Sequence, residues 1–572
     1  MESAMTDDQR PSLGRSSRRE IVFTGFFAAL PFTVSLVAWR PYWQTNDDIA
    51  MSMVVHGYGI SAYPSAGLVF SNVIYGWIVG HFPVLFDIFP YSVLSLALLF
   101  AAAWGTVYFV SEWTGCRALA LTMVSALFLP AIVFPQFSVL AGLLTCAGIA
   151  GILHYAHRGA RGSLAISAIL LLLGFLVREQ QFYLVMLVGM PFLPYRAFLG
   201  DRKLQVFLAA AICLAGAAGV VDHAYYRQPD WDEYRELNLL RAAFTDYGGA
   251  GYFRTRPELL AACGFTWNDI ELVTHWFFAD QNTADPVRLS ALLGQVRVAD
   301  WTLENLGNVR TTFSGLANRS LLPLIALVIM SFTLVPGARN RTLISGGVFC
   351  VTIGVIGAFG RPWAQRVYYP LVGSILVLTL MGGRIRSAGR EILTAAAGIA
   401  LVFVAAMTQT ANAGMIRNEA RIAEDFTRLD EGRLYIVWGA VLDYEAAYPV
   451  FVSAVKAKNY RWFALGAFSP APYAKAQWRE EGCRGLMDCL LNGSSPPIMA
   501  NDELMTLLGR LMEEHYSRRL VMRAVRQFNT FRTYEISTTR LDDAWNRNTM
   551  TSPSWGGKYP ADLPAASNRT AR

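Results

Sequence analysis

The sequence predicts an α-helical polytopic membrane protein carrying a small α/β domain at its C-terminal end. Three observations predict it. Hydrophobic residues make up 54% of the 572 and charged residues only 16%, and the mean hydropathy is +0.33, too apolar for a soluble chain of this length. Apolar runs recur that are long enough to cross, or nearly cross, a hydrocarbon core of about 30 Å. Beyond position 409 those runs stop, and strand-like and helix-like patterns alternate instead. The net charge of +7 does not indicate nucleic acid, because the basic residues are scattered through short loops rather than gathered into a stripe. Membrane lipids are expected partners; nucleic acid is not.

Residues 1–20 contain Arg10, Arg15, Arg18 and Arg19 and run into an apolar stretch without a small-residue cleavage site. This reads as a cytoplasmic tail and an uncleaved anchor. Apolar stretches fall at 21–39, 91–110, 118–133, 137–155, 164–177, 182–199, 204–221, 319–335, 342–359, 367–381 and 392–408. They amount to about eleven spans within a transmembrane domain over 21–408. With the N-terminus inside, alternate short connections carry Arg117; Arg158 and Arg161; Arg202 and Lys203; Arg339 and Arg341; and Arg384, Arg386 and Arg390. Every inside loop is then basic, as topology requires. Fusing 118–155 into one span would place Arg158 and Arg161 outside, which favours a hairpin through Pro130 and Pro135. The external loops 40–90 and 222–318, and the region 409–545, face outward in this scheme.

In the first external loop, Ile49 to Val55 and Gly67 to Val79 read as interfacial helices separated by a breaker run from Gly57 to Pro64. The second loop is aromatic, with a helix start at Asn268-Asp269 leading into Ile270, Val273, Trp276 and Phe277. Such a stripe is more often packing than binding. In the 409–545 region, Leu434 to Trp438 and Thr533 to Ile536 read as strands. Asn501-Asp502-Glu503 opens a helix with Leu504, Leu507, Leu508 and Leu511 on one face. No Gly-rich phosphate loop is present, so no nucleotide site is expected there. Residues 546–572 have the composition of a disordered tail. Cys483 and Cys489 can close a small disulfide loop if this region is extracytoplasmic, whereas Cys116, Cys146, Cys213 and Cys350 sit in or beside apolar runs as small hydrophobes.

The chemistry-bearing residues lie on the outward face. Asn46-Asp47-Asp48 directly follows the first span. Adjacent residues do not share a helix face, so the two carboxylates divide into a base and a cap, orienter or metal ligand. Capping of a helix that starts near Ile49 accounts equally well for Asn46 or Asp47. His56 is a helper or an ordinary interfacial residue. Arg178, Arg361 and Arg366 stand in outside connections where the charge rule disfavours them. The planar fork of arginine suits a phosphate, with salt bridges or snorkelling to headgroups as the ordinary alternatives.

This arrangement of an inside N-terminus, a long first external loop with interfacial helices and an acidic motif just after the first span resembles the GT-C superfamily of membrane glycosyltransferases. The resemblance covers the transmembrane two-thirds of the chain; an oligosaccharyltransferase-like WWD signature is absent. It implies a sugar moved from a polyprenyl-phosphate-linked donor to a hydroxyl of a glycan, lipid or protein acceptor, on the extracytoplasmic face of an inner membrane and in the service of cell-envelope polysaccharide. Inversion is expected, with Asp47 or Asp48 as the base. Arg178, Arg361 and Arg366 would hold the phosphate, with Tyr368 and Tyr369 as further donors. No definite cofactor follows and no metal ligand is assigned, and a divalent cation, on Asp48 for instance, stays open. The alternative is a polytopic flippase or transporter of lipid-linked sugars, against which the near absence of charge inside the spans counts.

Overall fold

A computed structural model describes residues 18–361, 365–493 and 495–541. The tail expected to be disordered at 546–572, and all but the end of the N-terminal tail, lie outside the described residues. Among the described residues, helices Pro90–Thr114, Phe137–Arg158, Arg202–Tyr226, Pro336–Ala358 and Ser387–Phe426 are each long and apolar enough to cross a membrane. Arg117–Val133 and Arg161–Val177 are shorter apolar helices packed among them. The chain is a multi-pass membrane protein. Helix Phe137–Arg158 is the central one, buried over its whole apolar window and packed on helices Arg161–Val177, Pro90–Thr114 and Gln365–Leu380.

Two apolar runs differ from expectation in local detail. The 182–199 stretch is not one helix. It breaks into Glu179–Gly189, a 3₁₀ turn at Met190–Phe192 and Tyr195–Gly200, because Pro191 and Pro194 interrupt the backbone ladder. In the first loop, Asn46–His56 is helical, but the second helix begins only at Val73. Val69 lies at φ 70°, incompatible with a right-handed helix. Asn72 then caps the helix by accepting from the Ile74 N–H at 3.0 Å.

The last long helix, Ser387–Phe426, does not stop at the membrane. Its 40 residues span about 60 Å at 1.5 Å per residue, twice the hydrocarbon thickness. The helix therefore runs on beyond 409 and delivers the chain to a five-stranded sheet in the order β2-β1-β3-β5-β4. Its strands are β1 (Leu434–Trp438), β2 (Arg461–Leu465), β3 (Ile498–Met499), β4 (Arg518–Gln527) and β5 (Arg532–Arg540). β1 pairs parallel with β2 and β3, whereas β5 is antiparallel to β3 and β4. Buried Asp425, at the end of the long helix, accepts from the backbone N–H groups of Asn529 and Thr530 at 2.8 Å each. That contact fixes the turn between β4 and β5.

Hydrogen bonds stitch this domain to both large loops. Trp462 donates its backbone N–H to Gly59 (3.0 Å), Ala454 to Asp87 (2.9 Å) and Val450 to Pro41 (3.2 Å). The Trp438 indole donates to the His275 carbonyl at 2.7 Å. The regions 40–90, 222–318 and 427–541 therefore pack together at one end of the helical bundle. Cys483 and Cys489 are joined by a disulfide.

Candidate active site

At that end of the bundle lies a cavity of about 700 Å³ whose lining includes Arg178, Arg361 and Arg366. Two connections bring them there, one carrying Arg178 and the other both Arg361 and Arg366. Arg178 occupies the break between helices Arg161–Val177 and Glu179–Gly189. Its guanidinium lies beside the stacked rings of Phe70 and Phe137, 5.4 and 5.3 Å from their centroids, and donates to the Phe70 carbonyl at 2.8 Å. Burial, then the nearby charge of Arg366, pushes its pKa down to about 10, which leaves it cationic at neutral pH. Arg361 pairs with Asp246 at 3.8 Å. Arg366 begins helix Gln365–Leu380 and pairs with Asp47 at 2.8 Å.

The remaining wall is mostly apolar, with Leu184, Leu239, Val355 and Phe359 among its residues. Ser138, Gln180 and Gln181 add polar groups; of these, Gln181 is 2% exposed, and its Nε2 has no hydrogen-bond partner. A buried donor left without a partner is costly unless a ligand supplies an acceptor. Three cations and an unpaired amide at one end of an apolar chamber suit an amphiphile with an anionic head.

The two aspartates separate as adjacent helical residues must. Thr45, not Asn46 or Asp47, is the N-cap of helix Asn46–His56. Asp48 is 1% exposed. Tyr91 donates its hydroxyl to Oδ1 at 3.0 Å, the Phe137 N–H donates to the same oxygen at 3.1 Å, and the Thr45 hydroxyl donates to Oδ2 at 3.2 Å. Burial, and secondarily the charge of Asp47, raises its pKa well above the usual carboxylate range. Both oxygens are engaged inside the protein, and Asp48 ties the first loop to the start of helix Phe137–Arg158. Asp47, by contrast, is partly exposed and turned toward Arg366.

Several expected participants lie elsewhere. Tyr368 and Tyr369 are core residues: Tyr368 is fully buried, and the Tyr369 hydroxyl donates to the Leu127 carbonyl at 2.7 Å. Neither lines the cavity. A helix turns about 100° per residue, so Tyr368 lies about 200° from Arg366 and faces the bundle, whereas Tyr369 returns to within about 60° of Arg366 and is kept from the cavity by its burial and its bond to Leu127. His56 lies at the far end of its helix from Asp47. It stacks on Phe89 at 5.0 Å and accepts from the Tyr91 N–H at 3.3 Å, and burial pushes its pKa down to about 4. The Asn46 side chain is exposed and does not line the cavity. Trp276 falls outside its helix, at φ 65°, where the Arg241 guanidinium covers its ring at 4.8 Å.

One residue near Asp47 carries no sequence signature. Glu445, in the short helix Tyr444–Ala447, packs against helix Asn46–His56. Burial raises its pKa to about 7; the Asn46 N–H bonds its carboxylate and opposes the shift, while the charge of Asp47 adds to it.

No protein-family model and no curated protein matches this chain. Among solved structures it is similar to the crystal structure of ArnT from Cupriavidus metallidurans bound to undecaprenyl phosphate. The likeness covers 91% of this chain and 98% of that one, at 13% identity and a TM-score of 0.38. So loose a superposition sets no correspondence between individual residues.

Proposed function

We propose that the protein is a membrane glycosyltransferase that moves a sugar from a polyprenyl-phosphate donor to an acceptor hydroxyl, with Asp47 as base and inversion at the anomeric carbon. The observation that carries this reading is the convergence of Arg178, Arg361 and Arg366 on one apolar-walled cavity, with Asp47 paired to Arg366. The polyprenyl tail would lie along the apolar wall and the phosphate against the arginines. On phosphate binding, Arg366 exchanges Asp47 for the phosphate, and the freed carboxylate accepts the proton of the attacking hydroxyl. The acceptor oxygen bonds to the anomeric carbon as the bond from that carbon to the phosphate oxygen breaks. The charge gained by the leaving phosphate is met by the fixed cations.

In this reading the chain crosses the membrane about eleven times, starts inside, and works on the extracytoplasmic face. The basic inside loops and the packing of all three large regions at one end of the bundle support that orientation. The Cys483–Cys489 disulfide fits an oxidising compartment.

The test is incubation of the purified protein with labelled polyprenyl-phosphate sugars. Transfer or hydrolysis that disappears in Asp47→Asn is expected. Movement of label across liposomes without bond cleavage would overturn the reading in favour of a flippase.

A further inference from the structure

A second cavity, of about 580 Å³, lies between the 222–318 region and the C-terminal sheet domain. Its chemistry is opposite to that of the first. Four carboxylates, Glu233, Glu236, Asp280 and Asp285, outnumber Lys475 and Arg484 along its walls. Glu233 and Lys475 pair with each other across it. Asp280 is 5% exposed; its Oδ1 accepts from the Tyr516 hydroxyl at 2.8 Å and the Asn282 N–H at 3.2 Å, while its Oδ2 has no hydrogen-bond partner. A buried carboxylate oxygen left in that state calls for a donor. One wall, Arg484 to Leu486, belongs to the loop closed by the Cys483–Cys489 disulfide, so the wall is held by a covalent staple.

Two helices contribute to the walls of both cavities. Helix Asp232–Thr245 presents Glu233 and Glu236 to the second cavity and Leu239 and Ala243 to the first. Helix Pro286–Gly294, packed against it, likewise has Pro286 on the second and Leu293 on the first. Glu236 and Leu239 are separated by about 4.5 Å along the helix axis. The two linings thus come within about one helical turn of each other on this helix.

We propose that the second cavity is the acceptor site and takes a carbohydrate that carries no negative charge, a neutral or amino sugar. The proposal rests on the glycosyltransferase reading. Carboxylates accept hydrogen bonds from vicinal hydroxyls or from an ammonium group, and Lys475 and Arg484 donate to ring and hydroxyl oxygens. The excess of carboxylates repels phosphates and uronic acids. Donor and acceptor are then sorted by charge between neighbouring chambers.

The experiment is saturation-transfer NMR on the purified full-length protein with cellobiose, its amino counterpart the glucosamine disaccharide, and digalacturonate; polyprenyl phosphate binding is measured in parallel. The first two sugars should bind and digalacturonate should not. Replacing the exposed Glu236 by Arg should weaken sugar binding by about tenfold while polyprenyl phosphate affinity stays within about twofold. Failure of both non-anionic sugars to bind, binding of digalacturonate, or sugar binding unmoved by Glu236→Arg would each overturn the proposal. If Glu236→Arg loses both ligands, the isosteric Glu236→Gln decides: weaker sugar binding sustains the site and unchanged binding removes it. Sugar binding at this cavity without any transfer chemistry would sink the glycosyltransferase reading alone, and transfer without sugar binding would sink only the acceptor site.

Discussion

Arg366 and Asp47, 319 residues apart in sequence, meet at 2.8 Å. This pair joins the start of a late membrane helix to the first external loop, and it holds the proposed base in check until an anion competes for the arginine. Asp47→Asn removes the base and also frees Arg366. Transfer should fall by about 10²- to 10⁴-fold, the usual contribution of a general base. Polyprenyl phosphate affinity should hold or improve. Turnover assays and lipid titration on the same preparation separate these outcomes; weakened lipid binding would show that the pair only maintains the fold.

Asp48 should behave as a structural residue. Asp48→Ala strands the Tyr91 hydroxyl, the Phe137 N–H and the Thr45 hydroxyl around an empty space. A buried group left unpaired costs about 1–3 kcal/mol, so a clear drop in melting temperature is expected. Asp48→Asn keeps an acceptor oxygen and should retain most of the stability and measurable transfer. Loss of transfer in a fully stable Asp48→Asn protein would move the base from Asp47 to Asp48.

The three cavity arginines should differ in their response to lysine. Each alanine variant removes charge-assisted bonds worth about 1.5–3 kcal/mol, or roughly ten- to hundredfold in lipid phosphate affinity. Arg178 also lies against two aromatic rings, and lysine cannot reproduce the planar fork or its contact with them. Arg178→Lys should therefore bind nearly as poorly as Arg178→Ala, whereas Arg361→Lys, on a more open side chain, should recover part of the loss. Equal recovery at both positions would argue against a positioned Arg178.

Local signals account for what the sequence revealed. The apolar runs that become the long helices, β1 and the Asn501 cap depend on neighbours in the chain, and the structure has helices, a strand and a cap there. The arginines were legible because charge in a short connection between apolar runs stands out locally. Their convergence was not, since it depends on how helices pack. Tyr368 and Tyr369 follow Arg366 so closely that proximity suggested a shared role, but rotation about the helix axis turns Tyr368 into the core, and packing takes up Tyr369 through the Leu127 carbonyl. Glu445 had nothing to mark it: it sits in a four-residue helix, and only the docking of the sheet domain brings it to the Asn46 N–H.

Glu445 should leave a mark on the pH profile. Its pKa, raised to about 7 by burial, makes it neutral in mild acid and ionised above neutrality. Ionised Glu445 adds a negative charge beside the Asp47–Arg366 pair, where the proton released by the attacking hydroxyl is to be taken up. Transfer should rise through pH 7, and Glu445→Gln should remove that inflection. The raised folded value means that stability is fully present below the unfolded pKa of 4.5 and is lost as pH climbs toward 7. Glu445→Gln should accordingly be the more stable protein at pH 8, by up to about 3 kcal/mol. An unchanged profile would show that Glu445 does not act on Asp47.

His56 titrates with the opposite sign. Its folded pKa of about 4 lies below the ordinary 6.5, so the unfolded chain takes up the proton first as pH falls. The neutral ring, stacked on Phe89 and accepting from the Tyr91 N–H, contributes stability that is complete above 6.5 and lost on acidification toward 4. The loss reaches up to about 2 kcal/mol by pH 5. Lys458 opposes protonation as well, and Glu445 works in the contrary direction over the same range, so the slope of the natural protein alone is ambiguous. The decisive comparison is with His56→Gln, which keeps an acceptor for the Tyr91 N–H and does not titrate. Between pH 7 and 5 its melting temperature should fall less than that of the natural protein. Parallel curves would mean that His56 is not held neutral by its surroundings, and that the acid sensitivity of the first loop arises elsewhere.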